Sequence, residues 1–253
     1  MTVAYTDLLA GGTGVIALVA AAFVLGGLVK GTLGIGLPLV TVPLLSLGLP
    51  PTQAMALMVM PVLASNCWQA WDSGISWSGV CRFWPILLML PLCTLLTVPM
   101  TLAMSDDTLR SFIAAAVLLA VVLNALPLRL TVSPDKERWC SAVVGTLSGV
   151  MGGVSALTGP LVISYLVSLR LAREVFVGTI SVIYLSSAIT LYGSMAVQGR
   201  ITERELALSF LALLPVGLGM SVGKRLRGHL SEVMFRRVLL GFLVALAGLL
   251  LLR

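Results

Sequence analysis

The sequence predicts an all-α, polytopic helical membrane protein. It is built as two inverted repeats of about five helical elements each, three full spans plus a broken or re-entrant pair, with both termini outside the cytoplasm. Three observations predict this. The 253 residues are 58% hydrophobic and only 10% charged, against about 25% charged in soluble domains. The apolar runs approach the ~20 residues that cross hydrocarbon. One unit of sequence occurs twice, and its basic residues gather on one side when the copies are placed upside down to each other.

The elements follow in order. Residues 13–48 are too long for one straight span and are broken by Gly31, Gly34, Gly36, Pro38 and Pro43. They read either as one kinked helix or as two short pieces that go in and come back. Spans follow at about 52–71, 82–102 and 109–128, then the polar loop "RLTVSPDKER" at 129–138. Residues 139–169 repeat the broken segment. Gly145, Gly149 and Gly152 keep the spacing of Gly27, Gly31 and Gly34, and Pro160 follows as Pro43 does. Spans at about 174–196, 204–222 and 232–252 complete the second copy. The units are therefore a first repeat (1–128), a cytoplasmic linker (129–138) and a second repeat (139–253). No basic region precedes the first apolar run, so it is expected to stay in the mature protein.

Charge selects between the two topologies. If each broken segment crosses once, the copies are parallel and the basic residues divide eight to seven. If each goes in and returns, the copies are inverted. Arg82, Arg129, Lys136, Arg138, Arg170, Arg173, Lys224, Arg225, Arg227, Arg236 and Arg237 then share one side, leaving Arg110, Arg200, Arg204 and Arg253 on the other. Eleven to four is the bias of a cytoplasmic face. Only Lys30 falls inside the membrane.

Irregular backbone is tolerated in hydrocarbon only where protein or a watery cavity covers it. Two such stretches at matching places should meet near the midplane, where transporters hold their substrates. A short helix beginning after Pro38 or Pro43, and another after Pro160, would turn free N–H groups and the positive dipole end toward a ligand. Such a site favours an anion, and Lys30 adds a full positive charge. The candidate binding residues are Lys30, Gly31, Thr32, Gly34, Gly36 and Pro38 in the first break, and Gly152, Gly153, Ser155, Thr158 and Gly159 in the second. The spans add Ser65, Asn66, Gln69, Tyr184 and Ser187, with Ser65–Asn66 aligned on Ser186–Ser187. Blander roles compete at each position. GxxxG is also a helix-packing motif, Lys30 could snorkel to the surface, and Ser or Thr often bonds its own helix. In the second copy Ser148 aligns with Lys30, so the positive charge is not duplicated.

Several function classes are excluded. No GxxxxGK[ST], HExxH or GxSxG occurs, and nine acids from Asp72 to Glu232 fall at loops or span ends. An enzyme is not expected, nor is a buried carboxylate relay. Cys67, Cys81, Cys93 and Cys140 form no CxxC pair, and the single histidine, His229, is far from them, so neither metal nor cofactor is expected. The basic residues are scattered over short loops, which argues against nucleic acid as a partner. The expected partners are the lipid bilayer and a small anionic substrate. A homodimer is permitted if GxxxG faces lipid. Trp71, Trp77, Trp84 and Trp139 read as interfacial aromatics.

The stretches "GLVKGTLGIGLPLVTVPLLSLGLPPTQAMAL" and "GTLSGVMGGVSALTGPLVISYLVSLRLAREVFVGT", with the closing "GRITERELALSFLALLPVGLGMSVGKRLRGHL", resemble the TauE/SafE family of sulfite exporters from about Gly26 to Leu252. The resemblance implies a multi-pass secondary permease of a bacterial inner membrane, on whose periplasmic side the charge count puts both termini. It would move sulfite, sulfoacetate or another organosulfonate. A channel of the same architecture, or a permease for a non-sulfur carboxylate, is the alternative. Family members often carry GxGGG in each copy. Here "GIGLP" and "GGVSALTGP" interrupt it, which bears on the identity of the anion more than on its class.

Overall fold

A computed structural model describes residues 12–125, 132–226 and 231–252. Arg129, Arg227, His229 and Arg253 lie outside the described residues, as do both extreme termini. All regular structure among the described residues is helical. The first half holds α1 (Gly12–Leu33), α2 (Leu37–Ser46), α3 (Pro51–Ala56), α4 (Val59–Asp72), α5 (Trp77–Cys81), α6 (Trp84–Ala103) and α7 (Asp106–Ala125). The second holds α8 (Glu137–Ser155), α9 (Gly159–Ser168), α10 (Arg173–Val197), α11 (Glu203–Leu211), α12 (Leu213–Leu226) and α13 (Glu232–Leu251). Among the described residues, six helical stretches are long and apolar enough to cross a membrane. Their outer faces carry exposed Leu96, Phe210, Leu214 and Leu218, side chains that only hydrocarbon would solvate without cost. Trp71, Trp84 and Trp139 are exposed as well.

Proline sets two further interruptions. Pro61 and Pro215 have no N–H to offer the carbonyls of Leu57 and Leu211, four residues back. The helices are interrupted there, between α3 and α4 and between α11 and α12.

The broken segments are hairpins. Thr41 Oγ1 donates to the Ala22 carbonyl at 3.3 Å. Gly36 lies against Val29, Gly26 against Leu37 and Gly48 against Leu18. Partners on α1 fall in number as α2 advances, so α2 runs back along α1. In the second half Tyr165 Oη, near the end of α9, donates to the Glu137 carbonyl at the start of α8, at 3.2 Å. The outgoing helix of each hairpin is long, at 22 and 19 residues, and the return helix has 10 in both cases. Of the two readings open from sequence, the structure has the one that goes in and comes back, but with unequal arms.

The glycines hold the hairpins to the spans. Gly27 and Gly31 of α1 touch the backbone of Val216 and Met220 on α12, while Gly219 and Gly223 touch Val24 and Leu28 in return. Gly145, Gly149 and Gly153 of α8 lie against Ile86, Leu90 and Thr97 of α6. Thr94 and Thr101 of α6 donate to the Gly149 and Gly153 carbonyls at 3.1 and 3.0 Å. These GxxxG motifs are therefore spent inside the chain rather than facing lipid, which removes the condition under which a homodimer was permitted.

Candidate functional site

The chain turns tightly where α1 gives way to α2 and where α8 gives way to α9. In the first, Gly34 (φ 82°) and Gly36 (φ 95°) take left-handed conformations that glycine adopts freely. In the second, Ala156 (φ 58°) takes the same conformation without that freedom. The helices that follow start at Leu37 and Gly159, with Pro38 and Pro160 in their first turns. Proline fits there because the first N–H groups of a helix have no partner in any case. Pro43 lies inside α2 instead.

Neither N-terminus receives a side-chain cap. Both open on one interior cavity of about 50 Å³, lined by Gly36, Leu37 and Pro38 from one side and Thr158, Gly159 and Pro160 from the other. Unpartnered N–H groups at a buried helix start are costly unless a ligand meets them. Lys30, 4% exposed, reaches the same cavity from α1. Its Nζ donates to Asn66 Oδ1 at 2.7 Å, and Asn66 Nδ2 donates to the Val62 carbonyl at 2.9 Å. No carboxylate pairs with Lys30 among the described residues. It does not snorkel: an amide inside the bundle holds it. Tyr184 supplies a further donor. Its buried hydroxyl has no hydrogen-bond partner and lies beside Gly159 at the start of α9.

Eight of the sixteen predicted residues line this cavity: Lys30, Gly36, Pro38, Asn66, Thr158, Gly159, Tyr184 and Ser187. Gly31, Gly34 and Gln69 line a second cavity of about 350 Å³, together with Asp72, Glu174 and Lys224. Lys30 lines both. The remaining five line neither. Thr32 donates to the Leu28 and Val29 carbonyls, Ser65 to Pro61 and Ser155 to Met151, all within their own helices. Gly153 packs on Thr97, and Gly152 packs on Thr158 close to Ser187. Asn124 and Tyr192 line the cavity without having been expected.

The pairing of the two copies is also sharpened. Counted along α8, Gly152 matches Gly34, yet it stays helical and the turn comes one helical turn later, at Ala156. Measured from the turns, Lys30 corresponds to Gly152 rather than Ser148. Lys30 meets Asn66, and Gly152 meets Ser187 through Thr158. The matching positions thus differ: Lys30 reaches into the cavity, while at Gly152 the side chain of Thr158, which lines the cavity, occupies the place of a Cβ.

A family model described as "Sulfite exporter TauE/SafE" matches residues 18–250, nearly the whole chain. No curated protein and no solved structure matches it.

Proposed function

The chain belongs to the TauE/SafE sulfite exporter family, and from that premise we propose that it is a secondary transporter exporting sulfite or a compact organosulfonate by alternating access around the central cavity. One observation carries the reading: two uncapped helix N-termini and Lys30 open on the same buried space. Helix starts and a cation together favour an anion. Tyr184, Asn66 and Ser187 add neutral groups able to bond its oxygens. A cavity of about 50 Å³, against the roughly 10–15 Å³ that one water needs, admits a compact oxyanion.

The hairpins support an inverted arrangement in a bacterial inner membrane, with periplasmic termini. Arg82 pairs with Glu137, while Arg110 reaches the Ser46 carbonyl and Arg200 the Leu102 carbonyl, contacts compatible with the two groups into which the charge count divides these residues. A reporter fused after Arg253 should give a periplasmic signal, and a cytoplasmic one would refute the arrangement. A channel of the same architecture would instead show flux that does not saturate with substrate.

The purified protein should bind sulfite saturably in a panel with sulfoacetate, taurine, carboxylates and chloride. Equal, weak binding of every anion would overturn the proposal, and a carboxylate at the top of the panel would reassign the substrate. Tyr184→Phe keeps the ring and removes only the donor. It should weaken sulfite binding about tenfold, the scale of one hydrogen bond to a charged group, with little change in melting temperature.

A further inference from the structure

We propose that Gln69 is the gate between the central cavity and the larger vestibule beside it. The inference rests on reading the central cavity as the anion site, and it adds the path by which that site opens. Asn66 and Gln69 stand one turn apart on α4 and make two successive links to the end of α1. The first is Lys30 Nζ to Asn66 Oδ1 at 2.7 Å. The second is Gln69 Nε2 to the Gly34 carbonyl at 2.7 Å. Ser181 of α10 directs its single hydroxyl proton mainly to its own Val177 carbonyl, at 2.7 Å, and shares it with Gln69 Oε1 at 3.3 Å. One neutral side chain thus ties together α4, α10 and the turn of the first hairpin.

Its position makes it a barrier. Asn66 faces the central cavity, Gln69 and Gly34 face the vestibule, and Lys30 faces both. An anion held by Lys30 leaves toward the vestibule only if the Gln69 link parts. The Gly34 carbonyl sits between two left-handed glycines, at φ 82° and 95°, positions where no Cβ restricts the backbone. Around Gly34 the space a Cβ would fill has only the Gln69 amide near it, at 3.5 Å. An uncharged amide closes the path without trapping an anion. The second copy lacks the device. Thr190, three residues after Ser187 as Gln69 is three after Asn66, donates to the Ser186 carbonyl of its own helix.

Access to the central cavity tests this without relying on transport. Ala188, which lines that cavity, is changed to cysteine, and purified protein is treated with the small neutral reagent methyl methanethiosulfonate. Peptide mass spectrometry reads the modification rate at position 188. Native Cys81, which is exposed, gives the reference rate, and native Cys93, partly buried on α6, reports general loosening. Gln69→Ala should raise the rate at 188 relative to Cys81 by about fivefold or more, on the scale of two lost hydrogen bonds, with Cys93 unchanged. Gln69→Glu, which cannot donate to Gly34, should do the same, and Ser181→Ala should give a smaller rise. An unchanged rate at 188, or equal rises at 188 and Cys93, would overturn the gate. Neither result depends on sulfite binding, so failure of the gate and failure of the anion site are read separately.

Discussion

Lys30→Met is expected to weaken sulfite binding by tenfold or more. The lysine is 4% exposed, and its one hydrogen bond goes to a neutral amide. Of the three N–H donors on an ammonium, two are left for a ligand. A charge in this position is costly unless something completes it. The two helix starts across the cavity provide partial positive charge, so they cannot serve as its counter-ion. An anion completes all three groups together. Charge-assisted hydrogen bonds contribute about 1.5–3 kcal/mol, or roughly ten- to a hundredfold in affinity. Methionine has a similar length and no charge, so the empty protein should melt no lower than the parent, and Lys30→Arg should retain part of the binding. Calorimetric titration with sulfite, beside melting curves without it, checks both arms. If the variant bound sulfite normally, Lys30 would be a structural residue held by Asn66, and the anion would belong elsewhere.

Much of this site was legible because glycine and proline mark backbone geometry directly. Gly34, Gly36, Pro38 and Pro160 mark where helices must stop and restart, and a chain in hydrocarbon can stop only where something covers it. The charge pattern exposed the return of the chain because it reports on which side each loop lies. The less legible features depended on rotation and register. Thr32, Ser65 and Ser155 have the right chemistry but bond their own helices, and composition does not say which way a hydroxyl turns. Asn124 stands in the last turn of α7, where a polar residue reads as a span end. Ala156 takes the second turn in a conformation for which sequence rules would choose glycine, while the two adjacent glycines before it, Gly152 and Gly153, stay in the helix. The reason lies in packing. Gly152 is needed small against Thr158 and Gly153 against Thr97, so both are committed to close contact and the chain turns at the next opportunity.

The same distinction fixes the second large effect, at Gly31. Gly31→Leu is expected to prevent folding, and Gly31→Ala to destabilise by about 1–3 kcal/mol, the range for forcing extra atoms into a packed interior. A Cβ there would lie well inside van der Waals contact with the Met220 carbonyl oxygen, and one at Gly223 would press on the Leu28 carbonyl. The obstacle is backbone in both cases, so no side chain can rotate away to make room. α1 and α12 would have to separate, and with them the zipper through Gly27 and Gly219. Gly193→Ala provides the comparison. No atom lies within 4 Å of its added methyl, and alanine is the better helix former by about 1 kcal/mol. It should leave the melting temperature unchanged or raise it. Melting curves in detergent, with the monomer fraction after heating as the readout, separate the two glycines. Equal effects would mean that close packing of α1 on α12 is not what Gly31 supplies. Lys30 precedes Gly31 on the same turn, so displacing α1 also draws its amine from Asn66. Sulfite affinity should therefore fall with stability in Gly31→Ala, although Gly31 is pinned by the helix backbone behind the site and contributes no polar side chain to the anion.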